Sequence, residues 1–409
     1  MESVILKDIC EDIQYGYTTS AVSEEVGPKF LRITDIVPEL IDWKSVPYCK
    51  IKEEEFDKYV LRDGDIVIAR TGATTGYAKY LKKPPRAVFA SYLIRIKIKD
   101  GIDKRFIGYI VQSQEYKDFI KTIWGGAAQP NANAQVLTSF PILLPSYTNQ
   151  QKISAILSAY DDLIENNTRR IQILEKMAQR IYREWFVNFR FPGHKKVRFI
   201  DSELGKIPEG WEVSNLECIA ELIKDKFRED QHNKLPLLDL ARIPRKSLAI
   251  SEFGKSDEIK TSRIIFKEGN ILFGAIRPYF HKVVIAPCDG VTNVSVLVLK
   301  NKDIVGKHFL FNLLFSDEVV AWATQYSGGT KMPVINWKVF KTMKVVIPQR
   351  EVIFDFESMA DNIFNLIKVL TLKNIILKRT RDLLLPKLIS GELDISDLDI
   401  VVRDINEEK

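Results

Sequence analysis

The sequence predicts an α+β fold made of two similar domains separated by two long helices, the helices forming an antiparallel coiled coil within a pseudo-two-fold internal repeat. Three observations predict it. The chain matches itself at an offset near 203 residues, each copy opens with short β-branched runs set between turns, and each closes on a long heptad seam. A length of 409 residues suits two cores better than one. A hydrophobic content of 45% with 28% charged residues excludes a disordered or collagen-like chain.

The first domain is expected over residues 1–148. Asp65-Ile66-Val67-Ile68-Ala69 and Ser91-Tyr92-Leu93-Ile94-Arg95-Ile96 read as strands, because β-branched residues suit a pleated surface, and 104–121 reads as a short helix. A long helix over 149–187 and a linker over 188–210 follow. The second domain, 211–349, repeats the pattern with a strand at Asn293–Leu299 and a helix over 306–323. A C-terminal long helix (350–391) and a tail (392–409) complete the plan. The repeat rests on ordered matches. Gly125, Pro130 and Pro145 meet Gly328, Pro333 and Pro348 at an offset of 203. Asp63-Gly64-Asp65-Ile66-Val67 resembles Glu268-Gly269-Asn270-Ile271-Leu272 at 205, and Leu6 and Ile9 match Leu216 and Ile219 at 210. Such drift marks small loop insertions, which surface loops tolerate.

The first seam runs Ile153, Leu157, Tyr160, Ile164, Asn167, Ile171, Leu174, Ala178, Ile181, Trp185, in alternating steps of four and three. Adding 203 gives Phe356, Ala360, Ile363, Ile367, Leu370, Asn374, Leu377, Arg381, Leu384, Leu388, with Arg381 the weak member. Two plain amphipathic helices of a bundle are the alternative. Asn167 and Asn374 are register markers if buried, or surface residues if the helix turns off the seam. Parallel helices would crowd both domains at one end and demand a long return, so the antiparallel pairing is the economical one. A helix of about 36 residues spans roughly 54 Å and would serve as a ruler.

Several motifs carry a family resemblance. Leu144-Pro145 through Asn149-Gln150-Gln151-Lys152-Ile153 into the helix, closing with Arg183-Glu184-Trp185-Phe186-Val187-Asn188-Phe189, resembles the central conserved region of Type I restriction–modification specificity subunits. Asp201-Ser202-Glu203-Leu204-Gly205-Lys206-Ile207-Pro208-Glu209-Gly210-Trp211 is similar to the segment that opens their second recognition domain. Leu383-Leu384-Leu385-Pro386-Lys387-Leu388-Ile389-Ser390-Gly391-Glu392-Leu393 resembles their C-terminal ending. The resemblance implies two target-recognition domains, each reading one half of a split site in double-stranded DNA, with the coiled coil fixing the spacer. It implies docking of two methyltransferase (modification) subunits, which carry adenine N6 chemistry, and of nuclease/translocase (restriction) subunits. The chain itself would be non-catalytic. The aromatic run Trp185–Phe189 reads as core at the helix end or as part of the modification-subunit interface.

The residues are consistent with that absence of chemistry. No cofactor-binding glycine turn or Asn/Asp-Pro-Pro-Tyr/Phe motif is present, and Arg277-Pro278-Tyr279-Phe280 is only an echo of one. Gly72-Ala73-Thr74-Thr75-Gly76 lacks the Lys-Ser/Thr ending of a phosphate loop. Neither the histidines nor Cys10, Cys49, Cys218 and Cys288 have metal-ligand spacing, so no metal and no cofactor is expected. Scattered cysteines, the lack of an export signal and the lack of an apolar run of spanning length suggest a cytoplasmic protein with no membrane partner. The net charge of +6 tilts mildly toward an anionic partner. Candidate DNA contacts sit on turns: Arg70, Thr71, Thr74, Thr75 and Lys79 in the first domain, and Arg277, Tyr279, His281 and Lys282 in the second. Gln129, Asn131 and Asn133 follow the first Gly-Gly pair and Lys331 the second. Arginine pairs with guanine edges, amides with adenine edges, and hydroxyls with phosphates. The competing readings are a single-chain DNA-modifying enzyme with an unrecognised motif and a coiled-coil protein adaptor. Missing motifs count against the first, the basic turns against the second.

Overall fold

The structure is a computed structural model that describes residues 2–38, 40–124, 132–227, 235–258 and 262–400. The chain divides into two compact units, residues 1–162 with 378–409, and residues 163–377.

In the first unit, β1 (Glu2–Ile5) pairs antiparallel with β8 (Pro141–Leu144). A four-stranded antiparallel sheet has the order β2 (Cys10–Tyr15), β7 (Leu93–Ile98), β4 (Ile66–Ala69), β5 (Ala78–Tyr80). A parallel pair, β3 (Lys29–Leu31) and β6 (Ala87–Phe89), lies apart from it. The helices are α1 (Ile33–Ile36), α2 (Glu53–Tyr59), α3 (Lys104–Gln112), α4 (Gln114–Trp124) and α5 (Ala134–Leu137). Ile66 and Ile68 of β4 enter one core with Phe106 and Ile107 of α3, whereas Val67 and Ala69 enter another with Leu31 and Phe89. Burial on both faces explains why β4 is a continuous apolar run and not an alternating one. Arg95 on β7 is buried with its charge matched: Nη1 donates to Val60 O at 2.8 Å, and Nη2 to Asp12 Oδ2 at 2.9 Å.

The second unit repeats the plan. After the hairpin β9 (Phe199–Ser202) and β10 (Gly205–Pro208), β11 (Glu212–Asn215) pairs with β20 (Lys344–Ile347). The main sheet has the order β12 (Ala220–Ile223), β19 (Val296–Asn301), β16 (Ile271–Gly274), β17 (Val283–Ile285). The register Ile66 to Ile96 recurs as Ile271 to Leu299, with the drift in offset that the sequence carries. A smaller sheet joins β14 (Gly254–Lys255), β13 (Pro236–Leu237), β18 (Gly290–Asn293) and β15 (Arg263–Phe266). Helices α7 (Leu216–Ile219), α8 (Lys307–Leu314), α9 (Asp317–Gln325) and α10 (Trp337–Phe340) complete the domain.

The single helices expected over 104–121 and 306–323 are each broken in two. The break falls at Ser113 and at Ser316, whose hydroxyls accept from Tyr116 N and Val319 N at 3.2 Å and cap the next helix. The long helices contribute to capping as well. Asp103 caps α3 by accepting from Phe106 N at 2.7 Å, and Ser154 on the following long helix donates to it at 2.6 Å. In the second copy the cap position is Gly306. Glu357, the counterpart of Ser154, reaches in and accepts from Phe309 N at 2.7 Å. A Cβ at residue 306 would fall 1.9 Å from the Glu357 carboxyl carbon, so glycine and glutamate are exchanged together.

The first long helix, α6 (Tyr147–Tyr182), continues as a π-turn over Arg183–Val187; the second, α11 (Arg350–Ser390), holds Pro386 in its last turns. Ile153 and Leu157 of α6 belong to the first unit's core, and Ile171, Ala178 and Tyr182 to the second's. Within the second unit Asn167 meets Asn374, while Tyr182 meets Phe356, so the helices run antiparallel there. In the first unit Arg381 pairs with Asp161, which also accepts from Tyr109 Oη. The weak seam member is thus a charge with its partner supplied. Asn167 and Asn374 are 9% and 8% exposed. Asn167 Nδ2 donates to Asn374 Oδ1 at 2.9 Å, and Asn374 Nδ2 to Thr168 Oγ1 at 3.1 Å and Ile164 O at 3.3 Å.

The seam departs from expectation beyond Ile171. Buried positions continue as Glu175, Ala178, Tyr182 and Phe186, leaving Leu174, Ile181 and Trp185 half-buried. Steps of four, three, four and four follow an untwisted helix, not a heptad. The cause is packing on the second domain, where Tyr182 and Phe186 meet Phe309 at 5.8 and 4.9 Å between ring centres. The aromatic run is therefore core at Phe186, with Trp185 and Phe189 packed against it. Glu175 accepts from Leu248 N and from Ser247 Oγ, and its burial pushes the carboxyl up to about 7.

Two outcomes are expected in urea denaturation. Asn374→Ala, which strands the Asn167 amide, costs about 1–3 kcal/mol, whereas Asn167→Leu combined with Asn374→Leu stays within about 1 kcal/mol of the parent. A carboxyl with its folded value above its ordinary 4.5 loses stability as pH rises from there through about 7. Glu175→Gln should accordingly stabilise the protein at pH 8 by up to about 3 kcal/mol, and the gain should vanish near pH 4.

Candidate nucleic-acid interface

The turn from β4 to β5 is clamped by backbone on both sides. Arg70 N donates to Tyr92 O at 3.0 Å, and Arg70 O accepts from Ala132 N at 2.8 Å. The guanidinium lies over the Tyr15 ring, 4.8 Å from its centre, with Nη1 3.4 Å from Ser91 O. Thr71 and Thr74 are half-buried beside Gly72, whose φ of +77° and open surroundings make the turn. The Thr75 hydroxyl donates to Gly72 O at 2.8 Å, so it serves the turn itself. Lys79 lies on β5, with Nζ donating to Pro38 O at 3.0 Å. Asn133 is exposed, but its Oδ1 caps α5 by accepting from Val136 N. Gln129 and Asn131 lie outside the described residues, as do Gly125, Gly126 and Pro130.

The second unit builds the same clamp. Ala275 N donates to Ser295 O at 2.9 Å, and Ala275 O accepts from Ile335 N at 3.0 Å. Ala275 is thus the counterpart of Arg70; Arg277, which the sequence sets in the equivalent turn, sits two residues further on. Arg277 N donates to Pro333 O at 2.7 Å, and its Nη2 lies 3.4 Å from Lys331 O, which brings the segment after Gly328-Gly329 against the turn. Arg277 and His281 both hold left-handed backbone at φ 51°, a conformation that non-glycine residues adopt at a cost. Tyr279 and Lys331 are exposed.

His281 and Lys282 depart from expectation. The His281 ring is buried, with Nε2 2.8 Å from Phe315 O and Phe315 packed on its edge. Burial holds this imidazole below its ordinary value, leaving it neutral at pH 7. Lys282 Nζ donates to Leu240 O at 2.5 Å, and burial lowers its value too. Both groups bond within the domain, His281 buried and Lys282 half-buried, at the turn that leads directly into β17. Sequence reasoning missed Tyr15, the shelf for Arg70, and Tyr92, 60% exposed beside it. It also missed Arg245, which lies over Phe280 at 4.0 Å. Tyr92 was legible only as part of a strand; Tyr15 and Arg245 are distant in sequence from the turns they join.

Each turn cluster therefore joins a guanidinium and an aromatic face, with exposed residues beside them, Gly72 and Tyr92 in the first and Tyr279 and Lys331 in the second. Such a set can hold phosphates and pair with base edges. Among the described residues no three His, Cys, Asp or Glu side chains gather as metal ligands would, and no helix is long and apolar enough to cross a membrane.

Residues 1–176 and 208–378 match the family described as Type I restriction modification DNA specificity domain, and the chain belongs to that family. Among its relatives is the Type I restriction enzyme MjaIX specificity subunit of Methanocaldococcus jannaschii, 28% identical over 318 residues that span 73% of this chain and 71% of the relative. The MjaVIII specificity subunit of the same organism is 23% identical over 376 residues, 88% of this chain and 85% of that one. The fold is similar to the crystal structure of the Type I restriction–modification S subunit from M. genitalium, with a TM-score of 0.53 and 14% identity over 95% of this chain and 96% of the other.

The two revised residues separate from the retained ones by experiment. Lys282→Met should lower the urea midpoint, corresponding to about 1–2 kcal/mol, and leave duplex affinity unchanged in fluorescence anisotropy. Arg277→Ala should do the reverse.

Proposed function

We propose that this chain is the DNA sequence-recognition subunit of a Type I restriction–modification complex, with residues 1–148 and 211–349 as its target-recognition domains. Each domain reads one half of a bipartite target in double-stranded DNA, and the chain performs no chemistry by itself. The observation that carries the reading is the doubled clamp: one backbone frame recurs in both units, and its central residue is Arg70 in one and Ala275 in the other. The frame holds turns that display different side chains, Arg70 over the Tyr15 ring in the first unit and Arg277 with exposed Tyr279 in the second, which suits two readers of unlike half-sites. In this reading α6 and α11 form an antiparallel coiled coil that sets the spacer, with Asn167 and Asn374 marking its register.

Methyltransferase subunits supply the chemistry, and nuclease/translocase subunits join them for restriction. An outward stripe on α11 supports docking of such partners. Met359, Leu366, Val369 and Ile376, separated by seven, three and seven residues, are exposed, Ile376 by 64%. Exposed apolar residues gathered on one helix can mark an interaction site.

The test is methyl transfer from a labelled donor to DNA, by the chain alone and by the chain co-expressed with a modification subunit. Transfer only in the second case supports the proposal; transfer by the chain alone defeats it. Arg70→Ala should weaken one half-site only, by about 1–3 kcal/mol if the guanidinium pairs with guanine, as measured by methylation across half-site variants.

A further inference from the structure

The connection after α6 carries a feature that the recognition turns do not account for. Between residues 185 and 200 stand four cations, Arg190, Lys195, Lys196 and Arg198, and no carboxylate. The chain reverses there at Gly193, with φ +85°, into a short turn in which Lys196 N donates to Gly193 O at 3.1 Å. This turn is rigidly seated: Phe191 is buried against Trp211, and His194 Nδ1 lies 2.8 Å from Phe191 O. An open groove of about 510 Å³ runs over it, floored by Trp185, Phe191 and Pro192 and bordered by Arg190, Lys195 and Lys196.

Arg190 is partly answered by Glu184, 3.3 Å away. Among the described residues, Lys195, Lys196 and Arg198 are exposed and have no ion pair or side-chain hydrogen bond. Lys195, Lys196 and Arg198, like charges close together on one turn, repel one another and are stabilised by an external polyanion. The corresponding stretch after α11, residues 391–400, follows its helix with four carboxylates, Glu392, Asp394, Asp397 and Asp399, and no cation.

We infer that the 190–198 turn is a seat for the phosphate backbone of duplex DNA, outside both recognition domains, that adds sequence-independent affinity. The inference rests on the DNA-reading function proposed above. Phosphate contacts carry no base information, so their loss weakens all duplexes alike and flattens the salt dependence, by about 0.9 in log–log slope for each phosphate neutralised. The acidic stretch of another copy of this chain is the competing occupant.

The experiment titrates the full chain into a random-sequence 40-base-pair duplex by anisotropy, from 50 to 300 mM salt, and follows its oligomeric state by sedimentation. The expected result for Lys195→Ala/Lys196→Ala/Arg198→Ala is a slope shallower by about 2–3 and an affinity loss of ten-fold or more at low salt, equal for unrelated duplexes. Lys195→Arg/Lys196→Arg, which keeps the charge, should bind as the parent does. An unchanged slope in the triple variant overturns the seat while leaving the recognition reading intact. So does a change confined to self-association, which would assign the turn to another copy's acidic stretch. A parent chain that binds no duplex, alone or with modification subunits, overturns the DNA reading and the seat together.

Discussion

Each long helix is shared between two hydrophobic cores, and the rest of the structure is arranged around that constraint. Ile153 and Leu157 must satisfy the first unit, while Ile171, Ala178 and Tyr182 on the same helix must satisfy the second. One amphipathic stripe cannot serve a facing helix and a globular domain with the same period. The stripe of α6 therefore changes pitch at Ile171, and Glu175 comes inside in place of Leu174. The buried carboxyl is tolerated because Leu248 N and Ser247 Oγ both donate to it. The Asn167–Asn374 bond lies just before this change of pitch, where a slip of either helix would leave two amides buried without partners.

The duplication survives as a frame whose parts have been exchanged in compensating sets. Asp103 with Ser154 in one copy becomes Gly306 with Glu357 in the other, and each pair satisfies the same orphan amide at a helix start, Phe106 N or Phe309 N. The helix breaks at Ser113 and Ser316 are kept, and so are the sheet order and register. What differs is the side chain at the clamp and the turn that follows it. At the clamp, backbone bonds hold position in both units, while the side chains meet different surroundings: Arg70 lies over the Tyr15 ring and Ala275 is buried in the second core.

The two domains also differ in how firmly their turns are held. Arg70 keeps ordinary backbone and rests on an aromatic ring. Arg277 and His281 stand in left-handed conformations, with the ring of His281 anchored to Phe315. Beyond the shared backbone clamp, the second turn is held by burial of His281, which offsets the cost of its left-handed backbone, and the first by stacking, so a substitution in either would be felt through a different route.

The repeat, its drift, the strands and the long helices were legible in the sequence because they follow from local periodicity, and periodicity is written along the chain. The offsets of 203, 205 and 210 reappear as strand registers, and the asparagines at seam positions are buried as their spacing implies. Tertiary structure alone decided which polar residues face outward. His281 and Lys282 look like ligands when read as a basic turn, yet partners far along the chain, Phe315 and Leu240, draw them in. Tyr15 joins Arg70 across 55 residues of sequence, and no local pattern predicts such a meeting. Identity of side chains sets which elements form; only the closing of distant elements on one another settles whether a charge meets solvent or a carbonyl.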